Sequence, residues 1–196
     1  MTTFFIASQI LLWVGLAVLA VLVAALARQV GVLHERIAPA GALTLHQNLK
    51  AGDVAPEMTL ETLAGSSVAI GGTRPGRSQL LFFLSPDCPL CKSMLPVLKS
   101  AAGAEKGWLD IVLASDGEGP EHRRMIMTEG LDGFDYVLSE ALGRTLGVSK
   151  LPYAVLIAED GKIASLGLVN NREHLESLFE AKERGVTSIQ DYLARR

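Results

Sequence analysis

The stretch QLLFFLSPDCPLCK, residues 79–92, limits the fold more than any other part of the chain. Its first seven residues contain the unbroken apolar run LLFFL. A run with no polar alternation marks a strand buried on both faces, as in a sheet covered by helices on each side. Pro89 suits a first helical position, where its missing N–H would be unpaired in any case. Met94, Leu95 and Leu98 then recur at helical spacing, which predicts a helix from Pro89 to about Ala102. The chain must therefore pass from buried strand to helix within a few residues. Both of its cysteines, Cys88 and Cys91, lie in that passage.

Cysteines at C-x-x-C spacing can pair, hold half of a metal site, or be incidental. A closed zinc site needs about four ligands. This chain has 2 Cys and 4 His, and the histidines (His34, His46, His122, His174) have no paired spacing. No metal site within the chain is expected. A redox pair is expected instead, because C-x-x-C at a strand-to-helix junction puts Cys88 at or beside the helix N-cap. There the helix dipole and free N–H groups favour a thiolate. Cys91, three residues on, shares the same face and begins deeper in the helix. This asymmetry makes Cys88 the attacking sulfur and Cys91 the resolving one. Of the flanking residues Asp87, Pro89, Leu90 and Lys92, Asp87 disfavours the thiolate and Lys92 favours it. Both an oxidising and a reducing poise stay open.

The remaining pattern alternates strand and helix. GDVAPEMTL and SSVAI suggest short opening strands. WLDIVLAS (108–115) reads as a second buried strand, EHRRMIMTEG (121–130) as a helix closed by Gly130, and DYVLS (135–139) as a strand followed by the short helix EALGRTLG. YAVLIAED and KIASLGLV form a hairpin about Asp160-Gly161. Residues 171–184 read as a helix capped by Asn170 or Asn171. The order implies a mixed sheet with helices on both faces. Asp116 and His122 fall in DGEGPEH, read as a solvated surface loop, and Arg123 and Arg124 as an exposed helix face.

The first thirty residues are different in kind. From Phe4 to Ala27 there is no charge. A helix of that length rises about 36 Å, enough to cross a hydrocarbon core of about 30 Å. MTTFF lacks the basic start of a signal peptide, and the apolar run is longer than a signal core. A retained transmembrane anchor over residues 1–28 is expected, touching the bilayer through residues 4–27, with Trp13 in the span. A tether follows over 29–50, broken by Gly31, Pro39 and Gly41, and the main domain occupies 51–196. The basic residues Arg28, Arg36 and Lys50 follow the span, so the positive-inside rule alone would place the main domain in the cytoplasm. A net charge of −3 gives no surface for nucleic acid.

LLFFLSPDCPLCKSMLP resembles the active-site segment of the thioredoxin family, with Lys92 and Pro96 at positions where related helices carry Lys and a kinking Pro. KLPYAVLIAEDGKI resembles the segment holding that family's cis-proline, at Leu151-Pro152. The match spans roughly residues 52–185. It implies a thioredoxin-like α/β fold preceded by the single N-terminal transmembrane helix. It also implies a docking groove in which Pro152 faces the cysteine pair and Leu151 offers its backbone to an extended substrate. No cofactor beyond the Cys88–Cys91 disulfide is implied. GDVAPEMTLETLAG resembles the start of membrane-tethered and peroxiredoxin-like branches. Three departures stand out. Phe82 replaces the buried carboxylate six residues before the first cysteine, which argues against a general reductase. Asp87 replaces an aromatic residue. Leu81 stands where a peroxidase motif needs Pro, although Ser85 fits its hydroxyl.

The whole chain resembles the MauD family of methylamine dehydrogenase accessory proteins. The resemblance rests on the uncharged anchor, on ARQVGVLHERIAPAGALTLHQNLKAGDVAPE and on LLFFLSPDCPLCK. It implies a membrane-anchored thiol–disulfide oxidoreductase whose client is the exported, disulfide-rich small (beta) subunit of the dehydrogenase. It also implies a separate redox partner that recharges the pair. By the same implication the protein is a single-pass protein of the bacterial inner membrane with its main domain in the periplasm. A large following domain translocates despite a weak charge bias. The competing readings are a redox-independent tethered chaperone or docking module, a thiol reductant for cytochrome c maturation, and a peroxidase.

Overall fold

The computed structural model describes residues 4, 6, 8, 9, 11–23 and 49–184. The chain divides near residue 45 into two units. In the first, residues 11–23 are helical (α1), and large apolar side chains along it, including Leu11, Trp13, Leu19 and Val21, are exposed. The described part of α1 rises about 20 Å, and no helix among the described residues is long and apolar enough to cross a membrane. The expected anchor over 4–27 continues past residue 23 into residues outside the described ones, and the tether over 29–50 lies almost wholly outside them.

The second unit is a layered α/β domain. A hairpin of β1 (Met58–Glu61) and β2 (Ser67–Ile70) leads into β3 (Ser78–Phe83). There follow α2 (Pro89–Ala104), β4 (Leu109–Ser115), α3 (Gly119–Glu129), β5 (Asp135–Leu138), α4 (Glu140–Thr145), β6 (Tyr153–Ile157), β7 (Ile163–Leu168) and α5 (Arg172–Arg184). The main sheet has the order β5-β4-β3-β6-β7. β3, β4 and β5 run parallel, while β6 is antiparallel to β3 and β7 to β6. The mixed sheet with helices on both faces is thus observed, with element ends within a few residues of those expected, the usual scatter for frayed ends.

β3 occupies the middle of this sheet, and all of its residues are buried. Its alternating side chains feed two cores, as the two-residue period of a strand requires. Leu80, Phe82 and Leu84 pack with Met94, Leu95 and Leu98 of α2, Met125 of α3, and Leu175 and Leu178 of α5. Leu81 and Phe83 face the other way, toward Val68 and Ile70 of the hairpin and Leu142 and Leu146 at α4. A central strand covered on both sides holds its C-terminal end rigidly, and the cysteines follow that end directly.

Local contacts explain the boundaries. Ser139 caps α4, its hydroxyl accepting from the Leu142 N–H at 3.1 Å. Asn171, one of the two expected candidates, caps α5 through the His174 N–H at 2.8 Å. Gly130 closes α3 in the left-handed region at φ 60°, where a residue without Cβ meets no penalty. The buried Gln79 side chain accepts from Gly71 N–H at 3.1 Å and donates to the Ala69 carbonyl at 2.9 Å, tying the hairpin to β3. Gly71 has φ 73°, and a Cβ there would lie 2.4 Å from the Pro56 carbonyl oxygen, so no other residue fits without moving backbone.

Candidate redox site

Cys88 is the N-cap of α2, in extended conformation at φ −95° and ψ 104°. Its Sγ accepts from the Cys91 N–H at 3.1 Å. Pro89 at the first helical position removes one N–H that would otherwise lack a partner there. The two cysteines form a disulfide, with Cα atoms 5.2 Å apart. Their environments differ as the sequence suggested. Cys91 is 0% exposed, packed among Phe82, Met94 and Leu95, whereas Cys88 is only partly buried at the edge of that core.

The loop carrying Cys88 is fixed from below. The Cys88 N–H donates to the Ser85 carbonyl at 3.1 Å, and the Asp87 N–H donates to the Ser85 hydroxyl at 3.3 Å. Asp87, Pro89, Leu90 and Lys92 are all exposed around the disulfide. Asp87 and Lys92 share a cleft of about 200 Å³ with Glu121 and Arg124, so both signs of charge border the pair. The Leu151-Pro152 peptide is cis. Pro152 is buried, while Leu151 is partly exposed and packs against both cores. Among the described residues, no group of three or more His, Cys, Asp or Glu side chains is placed to hold a metal ion.

His122 corrects the sequence reading. It was expected in a solvated loop, yet it is 3% exposed. The segment 119–129 is already helix, and residue 122 sits on its inner face with Met125. Its Nδ1 lies 2.8 Å from the Tyr136 hydroxyl of β5. Burial holds the imidazole below its ordinary value of 6.5, opposed by the Asp116 backbone and by the carboxylates of Asp116, Glu121 and Asp87. Asp116 itself is exposed, as expected, and so are Arg123 and Arg124. The i, i+3 spacing of His122 and Met125 was the signal available for the burial; the polar loop before it obscured that signal.

A stability consequence follows from His122. An unfolded imidazole titrates near 6.5 and the folded one lower. Below 6.5 the unfolded chain binds a proton that the folded chain refuses, so stability falls as pH drops through that window and levels off below the folded value. Urea midpoints between pH 8 and 5 should show this decline, and His122→Gln should flatten it. Asp110, held below 3.8 first by its hydrogen bond from Arg77, keeps its contribution above 3.8 and loses it only as pH falls further.

Comparison with known proteins agrees with this geometry. The Redoxin family model matches residues 50–182. Solved structures share the fold: a putative thiol:disulfide interchange protein DsbE from Chlorobium tepidum superposes with a TM-score of 0.60 at 20% identity, covering 70% of this chain and 99% of that one. A peroxiredoxin-like protein from Aquifex aeolicus superposes at 0.58 and 19%, covering 71% and 90%. Fold and match together define a thioredoxin-like domain of the Redoxin family. At the level of the whole chain, the methylamine utilization protein MauD of Paracoccus denitrificans is 44% identical over 100% of this chain and 98% of its own length. MauD of Methylophilus methylotrophus is 43% identical over 96% and 89%. The chain belongs to the MauD family.

Proposed function

We propose that this protein is a thiol–disulfide oxidoreductase of methylamine utilisation that forms or rearranges disulfides in an exported client, the small subunit of methylamine dehydrogenase. The observation that carries the chemistry is the asymmetric pair: a partly open Cys88 sulfur capping a helix, bonded to a fully enclosed Cys91. The family relatives carry the setting, since their names place them in methylamine utilisation.

In the oxidising direction a client thiolate attacks the Cys88 sulfur, and Cys91 departs with the electron pair of the broken bond. A second client thiolate then attacks the client sulfur of the mixed disulfide. The client leaves oxidised and the pair leaves reduced by two electrons. In isomerisation the Cys88 thiolate opens a client disulfide, and Cys91 resolves the adduct if rearrangement stalls. The α2 N-terminus lowers the energy of the Cys88 thiolate in both directions. Leu151 and Pro152 would border the client groove, and Asp87, Pro89, Leu90 and Lys92 would tune the pair. A separate redox partner would return the pair to its disulfide.

Cys91→Ser tests this directly. It should accumulate a mixed disulfide between Cys88 and the small subunit, visible on a non-reducing gel and dispersed by dithiothreitol. Maturation of the client with no trapped adduct would refute the assignment.

The exposed apolar side chains of α1 are what a membrane anchor over residues 4–27 would present to lipid, and the catalytic domain would lie in the periplasm if the client is exported. Alkaline phosphatase fused to the C-terminus should be active in cells. A stable but inactive fusion would reverse the orientation.

A further inference from the structure

Phe82 occupies the place beneath the pair and is 0% exposed, so the core around Cys91 offers no carboxylate to handle a proton. Among the described residues His122 is a buried imidazole, and its α3 neighbours Glu121 and Met125 border the same cleft as Asp87 and Lys92 of the cysteine segment. His122 Nδ1 meets the Tyr136 hydroxyl at 2.8 Å. Tyr136 pairs in register with Leu113 of β4, two residues before Ser115 on the same face of that strand. The Ser115 hydroxyl donates to the Leu84 carbonyl at 2.6 Å. Leu84 adjoins Ser85, whose carbonyl receives the Cys88 N–H. The other ring nitrogen, Nε2, faces the Asp116–Gly117 backbone, 3.7 Å from where a Gly117 Cβ would stand.

We propose that His122 is a positioning residue of the cysteine pair that takes up a proton when the Cys88–Cys91 disulfide is reduced. The inference rests on the redox reading of the pair. Two glutathione thiols that reduce the disulfide give up two electrons and two protons and join as glutathione disulfide, while the Cys88–Cys91 bond breaks. With Cys91 left as a thiol and Cys88 as a thiolate, one proton has no sulfur to occupy. His122 takes it at Nδ1, and the Tyr136 hydroxyl turns its own proton away from the imidazole and accepts from it. The thiolate supplies the new attraction, and Asp87, the residue before Cys88, is already within electrostatic reach of the ring.

The surroundings favour the cation once burial is offset. Asp116 faces the ring from the β4–α3 loop, Glu121 from α3 and Asp87 from the β3–α2 loop. Tyr136 faces it from β5. Lys92 and Arg124 border the adjoining cleft with Asp87 and Glu121, and Arg123 lies on the outer side of α3, so cations oppose the effect from the rim alone. By linkage, a thiolate that raises the proton affinity of His122 is itself favoured when His122 is protonated. The pair therefore becomes more oxidising as pH falls.

The test is the equilibrium of full-length purified protein with glutathione from pH 8 to 5, corrected for glutathione's own protons. Wild type should gain reduced pair with falling pH, by up to about tenfold per pH unit where one proton is fully linked. His122→Gln, which keeps an acceptor for Tyr136 and cannot titrate in this range, should lack that extra gain and match wild type near pH 8. Parallel profiles for the two proteins would overturn the proposal. If His122→Gln does not fold, proton NMR of wild-type His122 decides: its titration midpoint must be higher in the reduced protein, and equal midpoints overturn the proposal. Neither readout involves a client, so failure here is distinct from failure of the Cys91→Ser trap.

Discussion

Cys88→Ala is expected to remove all detectable thiol–disulfide exchange while leaving the fold intact. The reason is access. Cys91 is 0% exposed beneath the first turn of α2, so the partly open Cys88 is the one sulfur a client thiolate can reach. Without Cys88 there is no electrophilic sulfur in the oxidised protein and no nucleophile in the reduced one. The structural cost is small. Losing a helix cap costs about 1 kcal/mol, and a disulfide three residues apart closes so short a loop that it constrains the unfolded chain little. Turbidity from insulin reduction by dithiothreitol reads the exchange, and circular dichroism reads the fold. The same variant separates the redox reading from a docking module. Leu90, 39% exposed, and Leu151 give the rim an apolar character that alone would hold unfolded chains. A docking module would keep client maturation in Cys88→Ala cells; an oxidoreductase would lose it.

Much of this arrangement was legible because β3 and the cysteines are adjacent in sequence. An unbroken apolar run forces a central strand, Pro89 forces the helix start, and the N-cap position of Cys88 follows from the two together. Burial at the pair was legible for the same reason, since Cys91 lies one turn before Met94 and Leu95 on the inner face of α2. Long-range relations were not. That His122 of α3 reaches Tyr136 of β5 depends on the parallel pairing of β4 with β5, which places Leu113 opposite Tyr136. No local pattern encodes that register. The polar sequence DGEGPEH pointed to solvent, and tertiary packing of the first turn of α3 prevailed over it. The hairpin's attachment through Gln79 was equally hidden, because a glutamine at the start of an apolar strand carries no sign of the backbone groups it will meet.

Phe82 supplies the other large effect. It is fully buried at the centre of the sheet, paired in register with Leu113 on one side and Ala154 on the other, and packed into the core that holds Cys91. Phe82→Ala removes a ring from a site walled by regular strands and α2, which have little freedom to collapse. Such truncations cost about 3–5 kcal/mol, a large share of the 5–15 kcal/mol typical of a folded domain. The urea midpoint of unfolding should drop accordingly, with the m-value unchanged. Phe82→Asp tests a second point, because it restores the carboxylate whose absence sets this site apart. The core around Cys91 is apolar and presents no cation, so desolvation would hold the new carboxyl far above its unfolded value near 3.9. The folded chain then keeps a proton that the unfolded chain has released, so stability must fall as pH rises from about 4 toward the folded value and level off above it. Phe82→Ala has no such dependence, and the difference between the two variants across pH 4 to 8 isolates the carboxylate from the cavity. A Phe82→Asp protein whose stability profile from pH 5 to pH 8 runs parallel to that of Phe82→Ala, His122 being common to both, would mean that water or a cation reaches beneath Cys91, contrary to the closed core seen here.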